Sequence, residues 1–196
     1  MFFNEPFGGL IPGARGAVLS VLLKTGTPLT GRQVHRLIGE YSLWSVQEAL
    51  KSLTKLGLVE VTSAGQASLY TLNMDHYAVE SLSAVVDPIA ALRSIVSQTV
   101  DDSVKSVILF GSIARGEGTE SSDIDLAVVT VGEWDGRTDL QTAVSNRLGT
   151  PCDVVAFTDS EFSHLAEAGE PVVKDILRDG VAMLGAKPSI RKNGET

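Results

Sequence analysis

Two short apolar runs separated by a polar segment constrain the fold of this chain more than any other feature. VKSVILF ends at Gly111-Ser112, and the second run, IDLAVV, contains Asp125 and follows Asp123. Both runs are rich in β-branched residues and have the length of buried strands. Ten residues separate the Gly-Ser pair from Asp123. The sequence therefore predicts two buried strands with a Gly-Ser turn at the end of one and a pair of carboxylates at the mouth of the other.

The Gly-Ser pair has the composition of a phosphate-binding turn. IARGEG follows it and is predicted to begin a helix. A turn from strand to helix exposes backbone N–H groups and the Ser112 hydroxyl at the positive end of that helix. Gly111 has no side chain, so phosphate oxygens can come close to the backbone. The pair is therefore a candidate phosphate site.

The two carboxylates are spaced for a metal ion. Asp123 and Asp125 are two residues apart, so on a strand their side chains project to the same side. Carboxylates this close repel, and each raises the pKa of the other. A divalent cation removes the conflict, and all-oxygen ligands suit Mg²⁺ or Mn²⁺. Water and triphosphate oxygens would complete the coordination.

The order Gly-Ser, ten residues, Asp-x-Asp resembles the signature of the DNA polymerase β-like nucleotidyltransferase superfamily. The resemblance is strongest to its minimal bacterial and archaeal members, in which GSxARGExxxxSDIDL is typical. It extends over about residues 85–185, because EPVVKDILRDGVAMLG is similar to the helix and strand that close the minimal domain. The matching positions are Gly111, Ser112, Ala114, Arg115, Gly116, Glu117, Ser122, Asp123, Asp125 and Leu126.

The resemblance implies a metal site with three carboxylates. Asp123 and Asp125 would hold two Mg²⁺ or Mn²⁺ ions together with a nucleoside triphosphate, for which ATP is expected. The superfamily also uses a carboxylate on a neighbouring strand, and Asp153 in PCDVVAFT is the candidate. Asp153 would bind the second metal or act as the base that deprotonates the attacking hydroxyl. A plain strand-start residue is the alternative interpretation of Asp153.

The resemblance also implies a nucleotide site and a reaction. Gly111 and Ser112 would bind the β- and γ-phosphates, whereas Arg115 either contacts phosphate or pairs with Glu117 or Glu120. The nucleoside monophosphate would pass to a hydroxyl of a protein or a nucleic acid, with release of pyrophosphate. Minimal members include antitoxins that modify a partner toxin, so a toxin–antitoxin setting with a protein acceptor is one expectation.

The first 76 residues have the element order of a winged helix-turn-helix. ARGAVLSVLLKTG, LTGRQVHRLIG and SLWSVQEALKSLTKLG have the apolar spacing of helices, and LVEVTS and ASLYTLN are typical of a hairpin. The third helix begins after Ser42 or Ser45 and ends at Gly57. Its apolar stripe consists of Val46, Leu50, Leu53 and Leu56.

This segment resembles winged-helix bacterial regulators over about residues 12–73, most clearly in ALKSLTKLGLVEV. In that class the third helix lies in the major groove and the hairpin is the wing. Basic side chains are few, so a homodimer that reads two half-sites is expected. The predicted DNA contacts are Arg32, Arg36, Ser42, Ser45, Gln47, Lys51 and Lys55. The alternative is a protein-interaction or dimerisation module.

Charge is divided unevenly along the chain. Residues 1–75 carry six Lys and Arg against five Asp and Glu, whereas residues 76–196 carry ten against nineteen. An acidic half repels nucleic acid, so any DNA contact is expected in the first half. The predicted fold is α+β. It has a winged helix at 1–76, a nucleotidyltransferase domain with a mixed sheet flanked by helices at 77–186, and a flexible tail at 187–196.

Two further features bear on the location of the protein, and a third concerns the segment that joins the two predicted domains. No apolar segment reaches the about 20 residues that span a membrane, and one cysteine, Cys152, allows no intramolecular disulfide. A cytoplasmic protein without membrane contact is therefore expected. Between residues 78 and 100, Pro88 either starts a second helix or kinks a single one.

Two other classes of function are compatible with these motifs. In the first, the chain is a DNA-binding transcriptional regulator whose nucleotidyltransferase-like domain senses a nucleotide without catalysis. In the second, it is one half of a hetero-complex whose activity needs a partner protein.

Overall fold

A computed structural model of the chain describes residues 3, 5–119 and 121–188. The chain divides into two units: one is Glu5–Pro88, and the other consists of residues 89–196 together with residues 1–4, of which only Phe3 is described. By contacts the boundary lies after Pro88 rather than after residue 76. The reason is that the helix after the hairpin places Val79 and Val86 in the core of the N-terminal unit. Most of the predicted tail, residues 189–196, lies outside the described residues.

The N-terminal unit consists of helices followed by an antiparallel hairpin. Its elements after a short 3-10 turn at Pro6–Gly9 are α1 (Gly13–Thr25), β1 (Leu29–Thr30), α2 (Gly31–Ile38), α3 (Leu43–Lys55), β2 (Val59–Ala64), β3 (Ala67–Leu72) and α4 (Val79–Val85). The three strands form a sheet in the order β1-β3-β2. The helices and hairpin match the predicted order, whereas the short strand β1 has too few residues to show a pattern.

Side-chain caps fix where the helices of this unit begin. The Thr30 hydroxyl accepts the Gln33 N–H at 3.2 Å, and the Gln33 side chain accepts the Thr30 N–H at 2.8 Å, which is a capping box for α2. Ser42, not Ser45, is the N-cap of α3, since its Oγ accepts the Ser45 N–H at 3.1 Å. Gly57 follows α3 with φ +78°, as a C′ glycine does.

The core of this unit forms where the helical stripes meet. Val46, Leu50 and Leu53 of α3 are buried, in agreement with the predicted stripe. Leu56, the last residue of the apolar stripe, lies just beyond the end of α3 at Lys55 and is 55% exposed.

The C-terminal unit is a four-stranded mixed sheet with helices on both faces. Its elements are α5 (Pro88–Thr99), β4 (Val104–Phe110), α6 (Gly111–Ala114), β5 (Ile124–Thr130), α7 (Arg137–Leu148), β6 (Cys152–Thr158), α8 (Asp159–Ala168), α9 (Pro171–Asp179) and β7 (Val181–Leu184). The strand order is β6-β5-β4-β7, in which β5 and β6 are parallel and the other pairs are antiparallel. The α+β prediction is confirmed, and Pro88 starts a second helix.

Two cores lie on opposite faces of this sheet. On one face Leu109 and Leu126 pack with α5 and α7, around Leu92 and Leu140. On the other face Ile108, Ala127 and Val129 pack with Phe162 of α8 and with Val173 and Ile176 of α9. Side chains alternate between the two faces along each strand. No described helix is both long and apolar enough to cross a membrane.

Candidate active site

The Gly-Ser turn lies directly against Asp125. Phe110, the last residue of β4, is the antiparallel partner of Asp125. Gly111 then has φ +75°, and a Cβ built on it would overlap the Asp125 carboxylate oxygen Oδ2. Glycine is therefore required by its backbone conformation and by the close approach of this carboxylate. The sequence predicted a phosphate-binding turn at Gly111 and a metal-binding carboxylate at Asp125. The structure places the two in direct contact.

The helix that begins at this turn is short. α6 begins at Gly111 and ends at Ala114. The Glu117 N–H donates to the Ser112 carbonyl at 2.9 Å, and Gly116 turns the chain away with φ +74°. Ser112 is partly buried at this turn.

Asp125 and Asp153 are brought together by strand pairing. They are direct partners in the parallel register of β5 and β6, near the amino ends of both strands. Val129 of β5 and Phe157 of β6 belong to the face covered by α8 and α9. Asp125 and Asp153 are an even number of residues from them, so both carboxylates belong to this same face. Asp153 is exposed and Asp125 is partly buried.

Asp123 lies just outside the strand. The prediction placed it on a strand with Asp125, but β5 begins at Ile124. Asp123 follows a turn in which the Thr119 N–H donates to the Ser122 hydroxyl at 2.9 Å. It still acts on Asp125 through its charge.

The electrostatics of the cluster favour a cation. Burial raises the pKa of the Asp125 carboxyl, and the charges of Asp153 and Asp123 raise it further. Arg115 opposes these effects by lowering the pKa of Asp125. Mutual repulsion of the acids was predicted, although burial is the larger cause.

Arg115 is held by a carboxylate rather than standing alone. Its Nε donates to Glu117 Oε2 at 2.8 Å, and this hydrogen bond is the main reason that the pKa of Arg115 is raised. Asp179 and Asp175 of α9 contribute through their charges. The pairing with Glu117 agrees with one predicted alternative, and Glu120, the other predicted partner, lies outside the described residues.

Gln141 of α7 contacts β6 next to the candidate site, and the sequence did not predict this contact. Its Nε2 donates to the Cys152 carbonyl at 3.1 Å, one residue before Asp153. α7 itself was not predicted, because its polar residues are not segregated into a clear face. Nothing local in the sequence connects Gln141 with β6.

The predicted DNA contacts lie on two helices of the N-terminal unit. Ser42 and Ser45 share a hydrogen bond at 2.9 Å, and Lys51 pairs with Glu48 at 2.7 Å. The Ser42 hydroxyl is already used as a helix cap. On α2 and α3 the exposed members of the set are Arg32, Arg36, Gln47, Lys51 and Lys55.

Among the described residues, no three His, Cys, Asp or Glu side chains form a group that could hold a metal ion.

Comparison with known proteins shows what the C-terminal unit is similar to. Residues 92–182 match the family model described as Polymerase beta, Nucleotidyltransferase. The chain is also 37% identical over 60 residues to a protein of Methanocaldococcus jannaschii whose name places it among protein adenylyltransferases. That match covers 31% of this chain and 60% of the relative. Together the two matches support a nucleotidyltransferase enzyme.

Solved structures resemble the chain only weakly. A toxin–antitoxin complex crystallised with AMP-PNP has a TM-score of 0.40 and 20% identity, over 51% of this chain and 75% of that chain. A Sulfolobus solfataricus protein whose name places it among nucleotidyltransferases has a TM-score of 0.32 and 23% identity, over 55% of this chain and 85% of that chain. Similarity at this level carries no argument about function.

Proposed function

We propose that the chain is a metal-dependent nucleotidyltransferase that transfers AMP from ATP to a hydroxyl group of a partner protein. The observation that carries the proposal is the pairing of Asp125 with Asp153 on parallel strands, beside the turn at Gly111. The relative from M. jannaschii supports adenylyl transfer to protein. A toxin–antitoxin pair is the expected setting.

The donor chemistry of the three acids fits Mg²⁺ or Mn²⁺, although among the described residues they do not form a ready three-ligand group. Asp123, Asp125 and Asp153 offer carboxylate oxygens only, which are the ligands these ions prefer. The pKa of Asp125 is raised in part by its two acidic neighbours, so the cluster carries negative charge that Arg115 only partly offsets. Two divalent cations held there would neutralise the acids and stabilise the charge that develops on phosphate oxygens.

The residues of the chain have separate tasks in this reaction. The backbone at Gly111 and the Ser112 hydroxyl bind the β- and γ-phosphates, and Arg115 adds positive charge beside them. Asp153 accepts the proton of the acceptor hydroxyl while that oxygen forms a bond to the α-phosphorus. The bond from the α-phosphorus to the bridging oxygen breaks, and pyrophosphate leaves.

Replacement of Asp125 tests this proposal most directly. Asp125→Asn should lower the transfer of label from α-labelled ATP by at least about 100-fold, because a neutral amide removes the central charged ligand. The matched control is Asp139→Asn, an exposed acid on α7. The assay contains the full chain, Mg²⁺ and the product of a neighbouring gene, and asks whether protein, RNA or DNA becomes labelled. Full transfer by Asp123→Ala or Asp125→Asn would refute the assignment.

We also propose that the N-terminal unit is a winged helix-turn-helix that binds DNA as a homodimer. Support comes from the order of three helices followed by a hairpin, with exposed Arg32, Arg36 and Lys55 on the second and third helices. A protein-interaction module remains the competing proposal for this unit.

The second candidate function is a DNA-binding regulator that senses a nucleotide without catalysis. The observation that favours it is the joining of a helix-and-hairpin unit to the nucleotidyltransferase domain in one chain. Release of pyrophosphate separates the two functions. Tight binding of ATP with no labelled product, with or without the partner, would support the sensor.

A further inference from the structure

The strand that carries Asp153 lies at an edge of its sheet. The strand order is β6-β5-β4-β7, so β6 pairs with β5 on one side, and no described strand lies on its other side. Successive carbonyls of a strand point to opposite sides. The Pro151 carbonyl accepts the Ile124 N–H at 2.8 Å and therefore faces β5. The next carbonyl, that of Cys152, faces the open edge, where a sheet offers it no partner.

Gln141 supplies the donor that the sheet lacks at this edge. Its Nε2 donates to the Cys152 carbonyl at 3.1 Å. Gln141 is partly buried on α7, between Leu140 and Val144 in the sequence. These two residues belong to the same core as the Cys152 side chain, so α7 is packed against the start of β6. The hydrogen bond therefore comes from a helix that packing holds in place.

This hydrogen bond acts on Asp153 through one peptide plane. The Cys152 carbonyl and the nitrogen and Cα of Asp153 belong to the same planar group. A contact that holds the carbonyl therefore also holds the Cα from which the Asp153 carboxylate projects. The C=O and N–H of a trans peptide point in opposite directions, so the Asp153 N–H faces β5 while the carbonyl faces Gln141. Asp153 is also the register partner of Asp125.

Asp153 lies where the sheet opens most easily. It follows Cys152, the first residue of β6, and it is exposed on a strand that is paired on one side. Strand ends with few buried contacts open locally more often than the centre of a sheet does. A displacement of about 1 Å at a reacting group can lower a rate about 100-fold. A small loss of order at Asp153 is therefore expected to affect catalysis.

We propose that Gln141 is a positioning residue for Asp153. Its side-chain amide holds the Cys152–Asp153 peptide so that the Asp153 carboxylate stays beside Asp125. This inference rests on the proposed nucleotidyl transfer, in which Asp153 accepts the proton of the acceptor hydroxyl. The proposed binding of phosphate at the Gly-Ser turn does not use this contact. Gln141 therefore affects the rate of transfer rather than the affinity for ATP.

Gln141→Met tests the contact because it keeps the length of the side chain and removes the N–H donor. In the full chain, kcat for transfer of label from ATP to the product of the neighbouring gene should fall about tenfold, whereas KM for ATP should stay within about twofold. Gln141→Lys restores a donor at the same position and should recover most of kcat. The matched control is Asn146→Met, which removes an exposed amide from the same helix and should change neither constant.

Hydrogen exchange of the same variants, without ATP or metal, measures the anchor independently of catalysis. Gln141→Met should speed exchange of the Asp153 amide about tenfold, while the amides of β4 in the interior of the sheet stay unchanged. The proposal is overturned if neither kcat nor exchange at β6 changes, if one changes without the other, or if Gln141→Lys is as slow as Gln141→Met. If the parent chain transfers no label, the proposed function fails by itself, and parent-like exchange in Gln141→Met would still overturn the positioning role.

Discussion

Gly111 has two roles that the sequence could only partly predict. Its place in the Gly-Ser turn predicted close approach of phosphate to the backbone. The structure adds that the Asp125 carboxylate occupies the space where a Cβ would be. The residue therefore couples the proposed nucleotide-binding turn to the proposed metal ligand.

Gly111→Ala should lower nucleotidyl transfer by at least about 100-fold, because the new Cβ displaces the Asp125 carboxylate. Gly116→Ala is the matched control. Gly116 has nearly the same φ, +74° against +75°, but its added Cβ would meet no described atom within 4 Å. The transfer rates of the two variants are compared at equal folded fraction, which circular dichroism measures. A lower rate for Gly111→Ala alone would come from displacement of the Asp125 carboxylate, because both variants carry the same backbone strain. Equal rates would contradict the coupling.

Cys152 should be unreactive in the native protein. It is buried, and burial raises the pKa of its thiol to about 12, with smaller contributions from the charges of Asp153 and Asp125. The thiolate is the reactive form, so it is scarce at pH 8. Mass spectrometry should find no alkylation by iodoacetamide in buffer and one adduct in denaturant. Rapid labelling of the native chain would show that the start of β6 opens.

Among the elements, α8 shows what a local pattern can reveal. Thr158 and Glu161 have the spacing of a capping box, yet α8 was not predicted. The capping-box spacing could have predicted the start of α8, whereas the polar residues of α7 form no pattern that predicts a helix. The strands β4, β5 and β6 were predicted because apolar β-branched runs are local features.

Thr158→Ala should destabilise the C-terminal unit by about 1 kcal/mol, because the Glu161 N–H loses its cap. Urea denaturation in a Trp44→Phe background reports the loss through Trp134, which packs against the core of that unit. Trp44 is 71% exposed in the other unit, so its replacement should cost little. Thr158→Ser keeps the hydroxyl and should denature like the parent. A parent-like midpoint for Thr158→Ala would mean that the cap contributes nothing.

At the scale of the whole molecule, the uneven charge limits the DNA binding that we propose for the N-terminal unit. Arg32, Arg36, Lys51 and Lys55 are the lysines and arginines of α2 and α3, and Lys51 is paired with Glu48. An interface with so few cationic side chains gains little binding free energy from the release of counterions from DNA.

The expected salt dependence of DNA binding is correspondingly shallow. The slope of log K against log salt concentration should be about −3 to −4 per copy of the chain. Lys55→Ala should reduce its magnitude by about 1, whereas Lys174→Ala, an exposed lysine on α9, should not. Fluorescence anisotropy over a salt series measures both. The same change with Lys174→Ala, or no DNA binding at low salt, would favour a protein-interaction module.

The sequence by itself determined the features that depend on neighbouring residues: the apolar strands, the Gly-Ser turn, the three helices with their hairpin, and the closeness of Asp123 to Asp125. Only the tertiary structure decided that Asp153 pairs with Asp125 and that Gln141 of α7 contacts the start of β6. The reason is physical. Turns and periodicity arise from local backbone sterics, whereas strand register and contacts between elements arise from packing between segments that are distant in the chain.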